Sequence, residues 1–290
     1  MSGTTAAVGQ SFGLQHATQA MGGKAMETIC NDLKTEHEEL ESVLTGLDKD
    51  QWEIKTPFLN WSIKHEIRHL SYFDDRAALA ATDPEAFNRH LGEVLHDFDA
   101  FEKTLEEFGL NMSPQELMQY WRGQRAIVLD ALAGCSRKDR LPWYGPSMSA
   151  LSLATSRLME TWAHGQDIFD ALRIRRLPKD RLRHIAHLGV KTFKWTYDNR
   201  CLKVPADPVR VEVTGPSGDL WTWGPENAEN RIRGPAEDFC MVVVQCRHVD
   251  DTSLEVTGRI ARDWMEKAQC FAGPPSDGPR PGERVISDYV

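Results

Sequence analysis

From Met26 to Leu47 the apolar residues Ile29, Leu33, Leu40, Val43, Leu44 and Leu47 recur at spacings of three and four. That is the period of one helical face, and acidic residues occupy the opposite one. After the turn at Pro57, Ser62 stands where an N-cap belongs, and the spacing predicts a second helix to about Ala81. Asp83, Pro84 and Glu85 open an irregular helical stretch to about Phe108, and SPQE at 113–116 spells a capping box that starts a helix to about Leu132. The segment SRKDRLPWYGPS reads as a loop leading into a long helix from about Met148 to Leu172. Four principal helices with no strand signal among them predict a four-helix bundle over residues 26–175.

The pattern changes after RIRRLPKD. A helix from about Asp180 to Asn199 precedes PVRVEVTG and DLWTWGP, short alternating runs punctuated by Gly and Pro that read as antiparallel strands. The apolar run in AEDFCMVVVQCRH predicts a buried helix, and a final amphipathic helix lies near Ile260 to Cys270. The expected fold is therefore α+β with two domains, the bundle followed by a small α+β domain over 176–275 with a short antiparallel sheet. Residues 1–25, poor in apolar side chains, are expected to form a mobile tail, and 276–290, rich in Pro and Gly, a flexible one.

Composition narrows the function classes. With 34 basic against 43 acidic residues the net charge is -9, which repels phosphate backbones and argues against nucleic acid. No apolar run approaches the ~18 residues of a membrane span, and no signal peptide is legible, so a cytoplasmic location is expected. Six cysteines without a CxxC pair read as reduced structural thiols. Nothing in the pattern fixes an oligomeric state.

Residues 65–69 read HEIRH, a literal HExxH string. Such a motif needs both histidines aimed at the metal. On a helical wheel starting at Ile63, Glu66 falls inside the apolar sector and His69 at its edge, while His65 turns toward solvent beside Tyr72 and Arg76. A zinc peptidase is therefore disfavoured. Glu160 and His164 form a second candidate pair at i, i+4 on a helix apolar on both sides. Three readings remain open: a hydrogen-bonded pair without metal, a solvated face, or, with His69 added, a His/Glu/His set holding one divalent ion in the bundle interior.

The words NWSIKHEIRHLSYFD and METWAHGQDIFDAL, about ninety residues apart, resemble the DinB-like metal-binding bundles, specifically the mycothiol-dependent maleylpyruvate isomerase group. The resemblance covers roughly residues 26–275. It implies that His69, Glu160 and His164 bind a divalent metal, zinc or a similar ion, and that a low-molecular-weight thiol serves as a further cofactor. It also implies that Arg247, by position, corresponds to a second-domain arginine that helps bind the thiol and takes part in catalysis; the alternative is an arginine compensating a helix end. Glu66 stands where the isomerase pattern has an apolar residue. It reads as a general base, as a partner orienting a bound water, or as the mate of Arg157 or another arginine.

Asp74 and Asp75 read as pocket-mouth or solvated carboxylates, and His184 and His187 as structural or surface histidines. Trp195, Tyr197, Trp221 and Trp223 read as core or cleft lining. The implied function is a metal-dependent isomerase or thiol transferase acting on a small unsaturated or carbonyl substrate. A metal-dependent hydrolase or hydratase with Glu66 as base, and a non-catalytic binding module, are the alternatives.

Overall fold

The computed structural model describes residues 7–285, with side chains from Lys24 onward. Helices α1 (Ala7–Leu44), α2 (Ile63–Thr82), α5 (Pro114–Ala133) and α6 (Ala150–Ala171) form the bundle; α2 packs along α5, and α1 along α6. The expected tail is helical from Ala7, since its Ala and Gln residues favour helix and no proline interrupts before Pro57; residues 1–6 lie outside the described residues. Ser62 caps α2 by accepting the His65 N–H, and Ser113 and Glu116 exchange both hydrogen bonds of the capping box at α5. The irregular stretch resolves into α3 (Pro84–His96) and α4 (Phe98–Glu107), each capped by an aspartate, Asp83 and Asp97. The second cap breaks the run because Asp97 leaves helical geometry at φ −143°.

The segment expected to be a loop before α6 is a hairpin, β1 (Arg140–Trp143) and β2 (Gly145–Ser149). Leu141 and Trp143 point inward, with Trp143 stacked on Phe87 at 5.6 Å. Pro142, Pro146 and the flanking charges hid this short alternation.

Beyond the bundle come α7 (Leu182–Lys191), α8 (Phe193–Asp198), β3 (Val209–Thr214), β4 (Leu220–Trp223), β5 (Asn230–Pro235), α9 (Ala236–Val243), β6 (Glu255–Thr257) and α10 (Arg259–Lys267). The sheet order is β4-β3-β5-β6; the outer pairs are antiparallel, while the central pair β3–β5 is parallel. Strand β5 carries Arg231 and Arg233, which face Glu212 together with Arg210, so an ion cluster occupies one side and Ile232 is buried on the other. One apolar cluster runs from Ile29, Leu153 and Leu158 through Leu182 and Ile185 to Val211, Phe239 and Trp264, crossing the boundary expected near residue 175.

The segment expected to be flexible is held by contacts as far as Arg284, and its residues 286–290 lie outside the described residues. The Gln245 amide donates to the Ser276 carbonyl at 2.5 Å, Pro279 is buried, the Gly282 N–H meets the Asp251 carboxylate at 2.9 Å, and the Arg284 guanidinium reaches Asp167 at 3.0 Å. Residues too polar and kinked for a core are held by hydrogen bonds and charge instead.

A polar node lies inside the bundle. Asp74, expected near a pocket mouth, is fully buried and accepts from Arg157 Nε at 2.9 Å and Trp121 Nε1 at 3.0 Å. His37, 1% exposed, stands 3.7 Å from Asp74, and neither of its ring nitrogens has a hydrogen-bond partner among the described residues. Burial pushes the His37 imidazole down from its usual 6.5 to about 4, outweighing the pull of Asp74. The unfolded chain then takes up this proton more readily, so the stability contribution is present above about pH 6.5 and is lost as pH falls through about 4. We expect stability, measured by urea unfolding, to fall by about 3 kcal/mol between about pH 7 and 4 through this group. His37→Leu should remove that portion of the acid dependence; an unchanged pH profile in the variant would contradict the assignment.

Candidate metal centre

Helix α2 supplies Glu66 and His69 one turn apart, and α6 supplies Glu160, His164 and Asp167 on one stripe. The two helices pack against each other, which brings the stripes together. Glu160 Oε2 lies 3.5 Å from His69 Nε2 and 3.4 Å from His164 Nε2. One ligand atom from each of these three residues fits within a 4.8 Å cluster. His69 and Glu160 keep 23% and 22% side-chain exposure, so one side of the cluster is open to small molecules.

The far nitrogen of His164 is engaged. Nδ1 donates to Glu66 Oε2 at 2.8 Å, and the other Glu66 oxygen accepts the Thr56 hydroxyl at 2.5 Å. Glu66 is fully buried. Both of its oxygens accept hydrogen bonds behind the imidazole, and Arg157, expected as one possible mate, pairs with Asp74. Glu66 fixes the tautomer of His164 and aims Nε2 at Glu160.

Electrostatics follow this arrangement. Burial lowers the His164 pKa, but the hydrogen bonds and charges of Glu160 and Glu66 win and raise it to about 10. Burial, then the neighbouring His164, lowers that of His69. Burial raises that of Glu160, yet the hydrogen bonds from both histidines hold it well below the usual carboxylate range. Asp167 is raised to about 7 by burial and by the nearby Glu66, with Arg284 opposing.

Aromatic rings form the walls. Trp61 lies parallel to His164 at 6.1 Å, Phe58 meets His164 edge-on at 5.3 Å, and Phe73 contacts His69 at 4.7 Å. His65, the first histidine of the HExxH string, stacks on Trp61 at 5.6 Å and belongs neither to the His69, Glu160, His164 cluster nor to the second group of potential metal ligands, Glu66, His164 and Asp167. Two surface clefts of about 690 and 530 Å³ lie elsewhere, and no triad residue lines either.

Arg247 lies on the segment after α9 and meets α6. It pairs with the Asp170 carboxylate through both terminal nitrogens, at 2.6 and 2.9 Å, one helical turn or more below the triad. His184 bonds Asp32 at 2.9 Å and His187 accepts from Trp223 Nε1 at 3.1 Å, away from the cluster. Trp195 donates to the Phe271 carbonyl, Tyr197 to Asp263, and Trp221 is core. All six cysteines are free thiols; burial pushes Cys240, Cys246 and Cys270 up, away from thiolate chemistry. Sequence reasoning missed Thr56, Asp167 and Arg284. Asp167 sits three residues after His164, a spacing that does signal a shared face; nothing local marks Arg284.

The family model described as mycothiol maleylpyruvate isomerase N-terminal domain matches residues 33–169. The chain belongs to this DinB-like family. A second model, described as wyosine base formation, matches residues 205–256 of this maleylpyruvate isomerase-like chain. Uncharacterized proteins from two strains of Mycobacterium tuberculosis are each 41% identical over 247 residues, 85% of this chain and 96% of theirs. A crystal structure of mycothiol-dependent maleylpyruvate isomerase, in a histidine-to-alanine variant, superposes with a TM-score of 0.50 at 15% identity, covering 76% of this chain and 89% of that one. That likeness concerns the fold.

The Glu66 contact has a spectroscopic consequence. The His164 Nδ1–H should appear as a downfield, slowly exchanging signal in ¹⁵N-edited NMR, and Glu66→Ala should abolish it. The same variant should lose about 2 kcal/mol of stability, the worth of a buried charge-assisted hydrogen bond. An unmoved signal would show that Nδ1 bonds elsewhere.

Proposed function

We propose that the protein is a metal-dependent enzyme of the maleylpyruvate isomerase type, an isomerase or thiol transferase acting on a small unsaturated or carbonyl substrate. His69, Glu160 and His164 would hold a divalent ion, zinc by donor preference. The observation that carries this reading is the convergence of Glu160 Oε2 on both Nε2 atoms, 3.5 and 3.4 Å away, with Nδ1 of His164 already tied to Glu66. Two imidazoles and one carboxylate suit the ion, and the partial exposure of two of them leaves room for an exogenous ligand.

Bound there, a divalent ion would depress the pKa of a coordinating thiol or water into the neutral range. The chain's own residues supply orientation. Glu66 holds the His164 ring against rotation, and Thr56 holds Glu66. Phe58, Trp61 and Phe73 present an apolar wall that excludes water and suits an unsaturated carbon skeleton. The mycothiol in the family's description supports a low-molecular-weight thiol as the second cofactor. An anionic group of that thiol would compete with Asp170 for Arg247, which limits Arg247 to a grip that forms by exchange.

Hydrolysis or hydration through the same ion would lack Glu66 as base, because both its oxygens are engaged. Protein purified without added metal is expected to carry about one zinc per chain by elemental analysis. His69→Ala should weaken zinc binding well beyond tenfold, roughly the loss seen even for residues behind the ligands. Thermal-shift screening should find stabilisation by low-molecular-weight thiols in the zinc-loaded protein. Failure to take up any divalent ion stoichiometrically, or full affinity in His69→Ala, would reject the reading.

A further inference from the structure

We propose that Arg284, on the C-terminal segment, is a positioning residue of the candidate metal centre, clamping Asp167 of α6 and the Pro57–Trp61 loop against His164. Its Nη1 lies 3.0 Å from Asp167 Oδ1, and its Nη2 donates to the Pro57 carbonyl at 2.9 Å. Its third contact, Nη1 to the Gln245 carbonyl at 3.5 Å, reaches the chain just after α9. One guanidinium thus joins three segments distant in sequence.

Two of the joined segments, α6 and the Pro57 loop, bear on His164. Asp167 is 2% exposed and shares a 4.8 Å cluster with Glu66 and His164, so Arg284 meets an acidic group buried directly beside the Glu66–His164 pair. The loop carries Phe58 and Trp61, the two rings that flank the His164 imidazole, and Thr56, which holds Glu66. The loop is also strained: Leu59 and Asn60 are both left-handed, at φ 48° and 57°, and the Leu59 side chain is 73% exposed. Such a turn persists only where neighbouring contacts over-determine it. Inside it those contacts are Thr56 N–H to the Trp61 carbonyl at 2.7 Å and Trp61 N–H to the Phe58 carbonyl at 2.9 Å. From outside, Arg284 holds the Pro57 carbonyl. A planar fork can serve a carboxylate and a carbonyl at once, which a lysine cannot do with the same geometry.

The segment itself is anchored to deliver this side chain. Gly282 N–H meets Asp251, and Gly278, at φ 69°, packs on Gln245, where an added Cβ would come within 3.0 Å. The α+β half therefore completes the bundle's site through its own C-terminal end.

The consequence for metal affinity rests on the reading under Proposed function; the consequence for the loop does not. Arg284→Gln and Arg284→Lys would be compared with Arg280→Gln, a control in the same segment whose hydrogen bonds to Glu283 use backbone atoms. Two readouts are taken on full-length protein: zinc affinity by chelator competition, and hydrogen exchange of the Thr56 and Trp61 amides in metal-free protein. Both Arg284 variants should weaken zinc binding about tenfold and speed exchange at both amides, with Arg280→Gln like the wild type. Unchanged affinity and unchanged exchange in Arg284→Gln would overturn the proposal. If the wild type binds no zinc, the metal reading falls, and exchange alone decides: protection lost in Arg284→Gln upholds the clamp and protection kept refutes it.

Discussion

A carboxylate in the interior of a helical bundle costs several kcal/mol unless a cation or hydrogen-bond donors meet it there. Among the described residues, α1, α2 and α6 bury five: Glu36, Glu66, Asp74, Asp167 and Asp170, none more than 3% exposed. Their partners dictate how the rest of the molecule is assembled. Asp74 is met from within the bundle by Arg157 and Trp121, and Glu66 by His164 and Thr56. The other three are met by Arg176, Arg181, Arg247 and Arg284, all of which follow α6 in the chain. Docking of the α+β half is thus fixed by charge as well as by the apolar cluster that crosses the junction.

The same constraint explains why one histidine pair became a potential site. Glu66 is hydrogen-bonded to an imidazole whose second nitrogen is left to present. That nitrogen points at Glu160, which is only half sheltered and also faces His69. The buried hydrogen bond lies behind the ligand atom and the open side in front of it, a separation that lets the site be rigid and accessible together.

Much of this was legible because it is local or periodic. The caps at Ser62 and Ser113, the span of α2 and the shared face of Glu160 and His164 follow from spacing, and the family resemblance brought His69 to the same place. Strand β5 was missed because its outward residues are arginines, whose stability as a strand depends on Glu212 one strand away. The hairpin before α6 was missed because its prolines obscure a two-residue alternation completed only by Phe87. Asp74 read as a surface carboxylate because its partner Arg157 is 83 residues distant. Each error concerns a residue whose meaning is set by a contact remote in sequence.

The HEIRH string shows the same rule at the site. In a zinc peptidase both histidines of the string ligate one ion from one helix while the glutamate holds the attacking water. Here the intervening positions are sorted by the packing of α2: His65 is left against Trp61 at the surface, Glu66 enters the core, and His69 stays at the edge. Glu66 does not bond His69 on its own helix; its oxygens point toward α6 and the Thr56 loop. It serves the histidine of the facing helix instead. The motif's chemistry is therefore distributed across a helix pair, and its precision depends on whatever holds α2, α6 and the loop in register.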